Sequence, residues 1–204
     1  MKKYQIIYAD PPWKYKQGKS MGTSFQGAAD RHYPCMNYKD ICKLPVKEIV
    51  DQDCMLFLWT TFPMLQEAMK VIEAWGFQYK TIAFNWLKKN KDGSPFFGIG
   101  YYTKSNGEIC LLATRGHPHR FVEDNSISQV VITQKLRHSQ KPAIIREKIV
   151  QLLGDRPRIE LFARKVTTLI EDPSWKGWDI WGNEGKSDIA LKPKVETMKP
   201  ISKK

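Results

Sequence analysis

Residues 10–13 read Asp-Pro-Pro-Trp and directly follow the apolar run Tyr4-Gln5-Ile6-Ile7-Tyr8-Ala9. A β-branched and aromatic run that ends in an acid and two prolines predicts a buried strand that stops abruptly. Proline has no N–H for a ladder and fixes its own φ, so Pro11 and Pro12 force the chain rigidly out of the sheet. Asp10, a Pro11 carbonyl with no competing local partner, and the Trp13 ring would then meet at the carboxyl end of a strand. That is where open α/β sheets bind ligands. Two acceptors and a π-face suit a planar ring bearing an amino group. The plainer reading, a turn built from common turn residues, stays open on these four residues alone.

The elements around them indicate a parallel α/β sheet. Residues 14–32 carry Gly, Ser and Lys without a hydrophobic period and read as a long binding loop or lid. A short helix is predicted over 38–50 with Asn37 as its cap. Met55-Leu56-Phe57-Leu58-Trp59 is continuous enough for a strand buried on both faces. Leu65, Met69, Ile72 and Trp75 recur at helical spacing within 63–75, closed by Gly76. Strands are predicted over 77–87, 109–113, 130–133, 158–163 and 178–181. A helix is predicted over 141–153, with Pro142 in its first turn and Gly154 at its end. Between 88 and 106 lies a second loop with glycines, aromatics and lysines, a composition suited to stacking and phosphate contacts or to a simple connector.

The 204 residues allow one well-packed domain, with 42% hydrophobic and 12% aromatic residues. No apolar run approaches the roughly 20 residues that cross a bilayer, and the start lacks a signal-peptide core, so a cytoplasmic protein is expected. Cys35, Cys42, Cys54 and Cys110 show no metal-like spacing, and no metal is expected. The formal charge of +12 points to an acidic partner, nucleic acid before membrane. Six lysines against Asp188 and Glu196 mark residues 186–204 as a flexible basic tail behind a domain over 1–185.

A second group, Glu160-Leu161-Phe162-Ala163-Arg164, reads as an acid at the start of a strand, followed by a bulky pair and a small residue. It resembles the sulfonium-cofactor motif of amino-methyltransferases, with Ala163 in the place of the usual glycine. Here the Asp-Pro-Pro-Trp group precedes the cofactor motif by about 150 residues. That permuted order resembles the MT-A family of adenine methyltransferases, which includes the seventy-kilodalton subunit of the eukaryotic messenger-RNA writer and many bacterial and phage DNA enzymes. Further segments match in order: His32-Tyr33-Pro34-Cys35-Met36, Leu58-Trp59-Thr60-Thr61, the stretch from Gly98 to Gly116, His138-Ser139-Gln140-Lys141-Pro142, and Gly177-Trp178-Asp179 through Trp181-Gly182-Asn183-Glu184. The likeness spans about residues 4–185. Residues 165–176 are longer than usual for the family, and no segment before Asp10 matches the one that cups the cofactor's adenine in the eukaryotic enzyme.

The resemblance implies a Rossmann-like α/β fold, a mostly parallel sheet flanked by helices, and S-adenosylmethionine as cofactor. It implies methyl transfer to the exocyclic amine of adenine in DNA. The same reaction on RNA, or a catalytically silent nucleic-acid-binding partner subunit, are the alternatives. Asp10, Pro11, Pro12 and Trp13 are the catalytic candidates. Asp10, Lys141, Glu160, Arg164, Asn183 and Glu184 are the cofactor candidates, with Lys141 on the methionine carboxylate and Glu160 on a ribose hydroxyl or bracing Arg164. Tyr33, Arg31, His138 and Lys104 are the substrate candidates. A homodimer is expected by the same analogy.

Overall fold

The computed structural model describes residues 2–15, 35–98, 100, 102–135, 140–163, 172–182 and 187–191. Among these residues, seven strands form one sheet in the order β5-β3-β4-β2-β1-β6-β7. They are β1 (Tyr4–Ala9), β2 (Val50–Thr60), β3 (Gln78–Lys89), β4 (Gly107–Arg115), β5 (Val130–Gln134), β6 (Arg158–Leu161) and β7 (Trp178–Trp181). The helices are α1 (Tyr38–Cys42), α2 (Leu65–Ala74) and α3 (Ile144–Leu153). The pairs β1–β2, β1–β6, β6–β7 and β3–β5 are parallel, while β4 runs antiparallel to both β2 and β3. The sheet is therefore mostly parallel, with one reversed strand inserted between β2 and β3.

Alternation along the strands divides two cores. Ile7, Ala9, Leu56, Leu58, Leu111 and Leu161 face α1 and α2, and pack with Ile41, Val71 and Trp75. Ile6, Tyr8, Phe57, Trp59, Trp86 and Cys110 face α3, and pack with Ile145, Ile149 and Leu153. Both faces of the central strands are thus covered, which is why they read as continuous apolar runs.

The ends of the elements follow local chemistry. Asn37 accepts the Lys39 amide and caps α1, but the helix stops at Cys42 and a 3-10 turn (Val46–Glu48) follows where Pro45 breaks the pattern. Gly76 closes the α2 turn at φ +80°, and Gly154 ends α3 at φ +76°, a region closed to most side chains. β6 ends because Phe162 turns left-handed at φ +62°. That conformation costs a non-glycine residue roughly 1–2 kcal/mol, offset by edge-to-face packing of its ring on Trp181 at 5.3 Å. Glu160 accordingly sits near the carboxyl end of β6 rather than at its start.

Residues 187–191 also depart from a simple tail. The Asp188 amide donates to the Ile180 carbonyl at 2.9 Å, its carboxylate accepts the Ile180 amide at 2.8 Å, and Leu191 is buried in the core. They cover the outer edge of β7, so packed chain extends to Leu191. Residues 192–204 lie outside the described residues.

Topology fixes where a site can form. From β1 the chain proceeds to β2 on one side, and from β6 it proceeds to β7 on the other. The crevice between β1 and β6 at their carboxyl ends is therefore a topological switch point. Ala9 is in register with Leu161, and the Asp10 amide donates to the Leu161 carbonyl at 3.4 Å. Two segments about 150 residues apart in sequence meet there.

Below that crevice α3 is tied to β6 by a buried ion pair. Arg146 donates to both Glu160 oxygens at 2.6 and 3.3 Å and to Ser174 Oγ at 3.2 Å, with its guanidinium 3.6 Å from the Trp175 ring centroid. Burial pushes the Glu160 carboxyl above its ordinary range, against the pull of Arg146. Arg146→Ala is expected to cost about 3–5 kcal/mol, because it leaves a buried carboxylate unpaired. Glu160 would then hold its proton in the folded state at pH values where the unfolded chain has lost it. The destabilisation measured by urea unfolding should therefore be larger at pH 8 than at pH 5.

Candidate active site

The sequence from Ala9 to Trp13 leaves the sheet as its prolines require. Asp10 continues the face of Tyr8 toward α3, while the chain turns so that Trp13 enters the opposite core, 6% exposed. The Trp13 indole N–H donates to the Trp59 carbonyl at 3.0 Å. Its backbone forms a short bridge with Met36, supported by the Met36 amide donating to the Pro12 carbonyl at 2.7 Å. The ring therefore packs as an anchor for the exit of β1 and does not present an open stacking face. The Pro11 carbonyl is not free of local partners either: it accepts the Trp13 amide at 2.9 Å. A carbonyl oxygen has two lone pairs, so one acceptor direction remains.

The carboxylate of Asp10 stands at one end of a row of alternating charges. Lys141 Nζ donates to Asp10 Oδ2 at 2.7 Å and lies 3.2 Å from Glu108 Oε2, and the other Glu108 oxygen accepts from Lys88. The Lys141 side chain is only 10% exposed. Its ammonium also lies 5.4 Å from the Trp59 ring centroid, and the Lys88 ammonium lies 4.7 Å from that of Trp86. Burial works against the Lys141 charge, but Asp10 and Glu108 outweigh it and hold the pKa above the ordinary lysine value. Burial likewise opposes ionised Glu108, yet Lys141 and Lys88 pull its pKa down to about 2. The Cys110 thiol, enclosed beneath Asp10, is pushed well up by burial first and by the Asp10 charge second.

Glu108 and Lys88 were not among the residues picked out from sequence. The reason is the direction of β4. Glu108 is the second residue of β4, and in a parallel strand the beginning lies at the edge opposite Asp10. Because β4 is reversed, its beginning reaches the edge formed by the ends of β1, β2 and β3. Asn106-Gly107-Glu108 at the head of an apolar strand was the available signal, but its partner depends on strand direction.

Of the other candidates, Pro11 is buried and Pro12 half-buried at the turn, Glu160 is held by Arg146, and Lys104 is exposed between β3 and β4. Arg31, Tyr33, His138, Arg164, Asn183 and Glu184 lie outside the described residues.

A mostly parallel sheet with an acid and a buried lysine at its switch point is an α/β fold with a charged ligand-binding crevice. The sequence pattern of the MT-A70 family matches residues 4–184. This chain belongs to the MT-A70 family of S-adenosylmethionine-dependent methyltransferases. It is 34% identical over 196 residues to the Type II methyltransferase M.MunI of Mycoplasma sp, covering 90% of this chain and 78% of that protein. It is 24% identical to the N6-methyladenosine RNA methyltransferase MTA1 of Pyricularia oryzae, covering 89% of this chain and 46% of the relative. It is also 25% identical to human METTL3, the N(6)-adenosine-methyltransferase catalytic subunit, covering 85% of this chain and 27% of METTL3. The chain thus spans most of the first relative and less than half of the other two.

The residues present fit the methyl donor at Lys141. Lys141 has three ammonium hydrogens, and two carboxylates account for two of them among the described residues, which leaves one for a carboxylate of a ligand. At the ends of β6 and β7, Gly182 lies against Ala163 so closely that a Cβ would stand 2.3 Å from the Ala163 carbonyl oxygen. A side chain at this position would clash with that backbone, so glycine is needed where the ends of β6 and β7 pack together.

Glu108 supplies a pH test. Its pKa is lowered in the folded protein, so its contribution is present above the unfolded value near 4.3 and is lost as pH falls toward 2. Glu108→Gln should remove about 3 kcal/mol of that acid dependence. Urea unfolding of wild type and variant between pH 6 and pH 2.5 should show the two stabilities converging on acidification.

Proposed function

We propose that this chain transfers the methyl group of S-adenosylmethionine to the exocyclic 6-amino group of adenine in DNA. The observation that carries the reading is the Asp10 carboxylate, fixed by Lys141 at the carboxyl end of β1 beside the Pro11 carbonyl. The adenine amine is a weak nucleophile because its lone pair is delocalised into the ring. Asp10 and the remaining lone-pair direction of Pro11 accept its two N–H bonds, which favours a more tetrahedral nitrogen and aims its lone pair at the donor. When bound, S-adenosylmethionine would supply a methyl on a sulfonium; its sulfur would leave as the neutral thioether of S-adenosylhomocysteine, and the amine would shed one proton to solvent. Catalysis on this account is positioning and charge stabilisation without a covalent enzyme intermediate. Lys141 serves twice, fixing the Asp10 carboxylate in place and offering its third N–H to the donor's carboxylate. In duplex DNA the adenine must leave the stack, at a cost of a few kcal/mol.

DNA is favoured over RNA because identity and coverage are greater for the Type II methyltransferase M.MunI than for MTA1, which is an RNA methyltransferase by name. Adenine as the base is supported by the names of the MTA1 and METTL3 relatives. The same reading includes Arg164, Asn183 and Glu184 near the cofactor's ribose and adenine, Glu160 as a brace below them, and Arg31, Tyr33 and His138 toward the substrate. A homodimer is supported by β5, an edge strand that leaves Val130 and Ile132 about half exposed. A cytoplasmic site of action goes with this reading by analogy with the Mycoplasma relative; no helix among the described residues is long and apolar enough to cross a membrane.

Asp10→Asn keeps an acceptor for Lys141 and removes the charge. It is expected to lower kcat by roughly 10²–10³ with DNA affinity little changed. Labelled methyl transfer to matched DNA and RNA oligonucleotides checks this. Stronger labelling of RNA would overturn the choice of DNA, and an undiminished rate in Asp10→Asn would overturn the mechanism.

A further inference from the structure

The connection from β3 to β4 leaves the same edge of the sheet as Asp10. β3 runs in the direction of β1, since β4 is antiparallel to both β2 and β3. Its carboxyl end is joined to the site by charge, because Lys88 is the outermost member of the row Lys88, Glu108, Lys141 and Asp10. From there the described backbone folds back on itself in two turns. The Phe96 amide donates to the Lys88 carbonyl at 2.9 Å and the Asn90 amide to the Ser94 carbonyl at 2.8 Å. Farther out, Gly98 bridges Ser105, and Cβ atoms at Gly98 and Gly100 would stand 2.8 and 1.9 Å from the carbonyl oxygens of Ser105 and Thr103. Glycine is needed at both positions for that approach.

This construction places apolar area in water. Tyr102 is 101% exposed and Phe97 62% exposed, whereas Phe96 is half-buried under the Lys135 ammonium, 4.3 Å from its ring centroid. Lys89, Lys91, Lys104 and Lys135 are exposed around these rings. The acid among them, Asp92, is taken up locally by the Ser94 amide and hydroxyl at 3.0 and 2.6 Å. Lysine is depleted from the cores of protein–protein interfaces. Open aromatic faces ringed by ammonium groups match a polyanion carrying stackable bases.

We propose that this extension, as described over residues 90–98, 100 and 102–106, is the element that selects which adenine is methylated, with Phe97 and Tyr102 stacking on bases beside the target and Lys91 and Lys104 holding flanking phosphates. The proposal rests on the DNA-methyltransferase reading above and names its specificity element.

The full chain and two double variants, F97A/Y102A and K91A/K104A, are compared in three ways. Duplex binding is measured across a salt series, the sequence context of N6-methyladenine is mapped on treated plasmid, and cofactor affinity is measured by calorimetry. F97A/Y102A is expected to weaken duplex binding about tenfold or more and to broaden the methylated context, with cofactor affinity unchanged. K91A/K104A is expected to lower the slope of log K against log salt by about 2, with the context retained. Unchanged context and duplex affinity in F97A/Y102A would overturn the proposal. So would a loss of molecular mass by light scattering in that variant, because the rings would then dock a second copy of the chain. A wild type that binds DNA through these residues but does not methylate it would refute the functional reading while supporting the extension as a DNA-binding element. Methylation that ignores both double variants would do the reverse.

Discussion

The Lys141 ammonium holds two carboxylates, Asp10 and Glu108, that would otherwise repel one another at the edge of a densely packed sheet. Each comes from a different strand, and Lys141 enters from the segment leading into α3. Lys88 completes the alternation from β3. Desolvating four charges costs several kcal/mol per ion before their attraction is counted. A chain seeking stability alone would fill this volume with apolar side chains. Keeping a charged row at the switch point of an α/β sheet fits a function that needs a firmly positioned acid there.

The surrounding packing makes that row rigid. Trp59 spans the two cores through its polar groups: its carbonyl accepts the Trp13 indole N–H, and its own indole N–H donates to the Tyr8 hydroxyl at 2.7 Å. The tyrosine is enclosed, and burial pushes its hydroxyl pKa well above the ordinary value, so it remains a neutral partner. One tryptophan thus links β1, the proline turn and β2. On the other side of β1, Arg146 and Glu160 fasten β6 to α3. Asp10 is therefore positioned by strands on both flanks, with little freedom left in the backbone that carries it.

Much of this was legible in the sequence, and for identifiable reasons. The apolar run of β1 ends at prolines that permit no other continuation, and α2 has a clear helical period closed by Gly76. What the sequence concealed depends on strand direction and neighbours. The reversal of β4 left no periodic signature, because a strand buried on both faces reads alike in either direction. Glu108, one residue before the strand predicted over 109–113, therefore carries no signal of its own, and the ion pair of Asp10 with Lys141 joins two motifs that are each legible alone. The packing of Leu191 was hidden within a lysine-rich stretch. Trp13 looked like a stacking surface from its type, whereas burial made it an anchor.

The most direct test is a crystal structure of the protein with S-adenosylhomocysteine and an adenine-containing oligonucleotide. The account predicts the adenine amino nitrogen within about 3 Å of both the Asp10 carboxylate and the Pro11 carbonyl, with the cofactor's carboxylate on Lys141 Nζ. An adenine seated away from the end of β1, or a cofactor whose carboxylate is bound elsewhere, would contradict it.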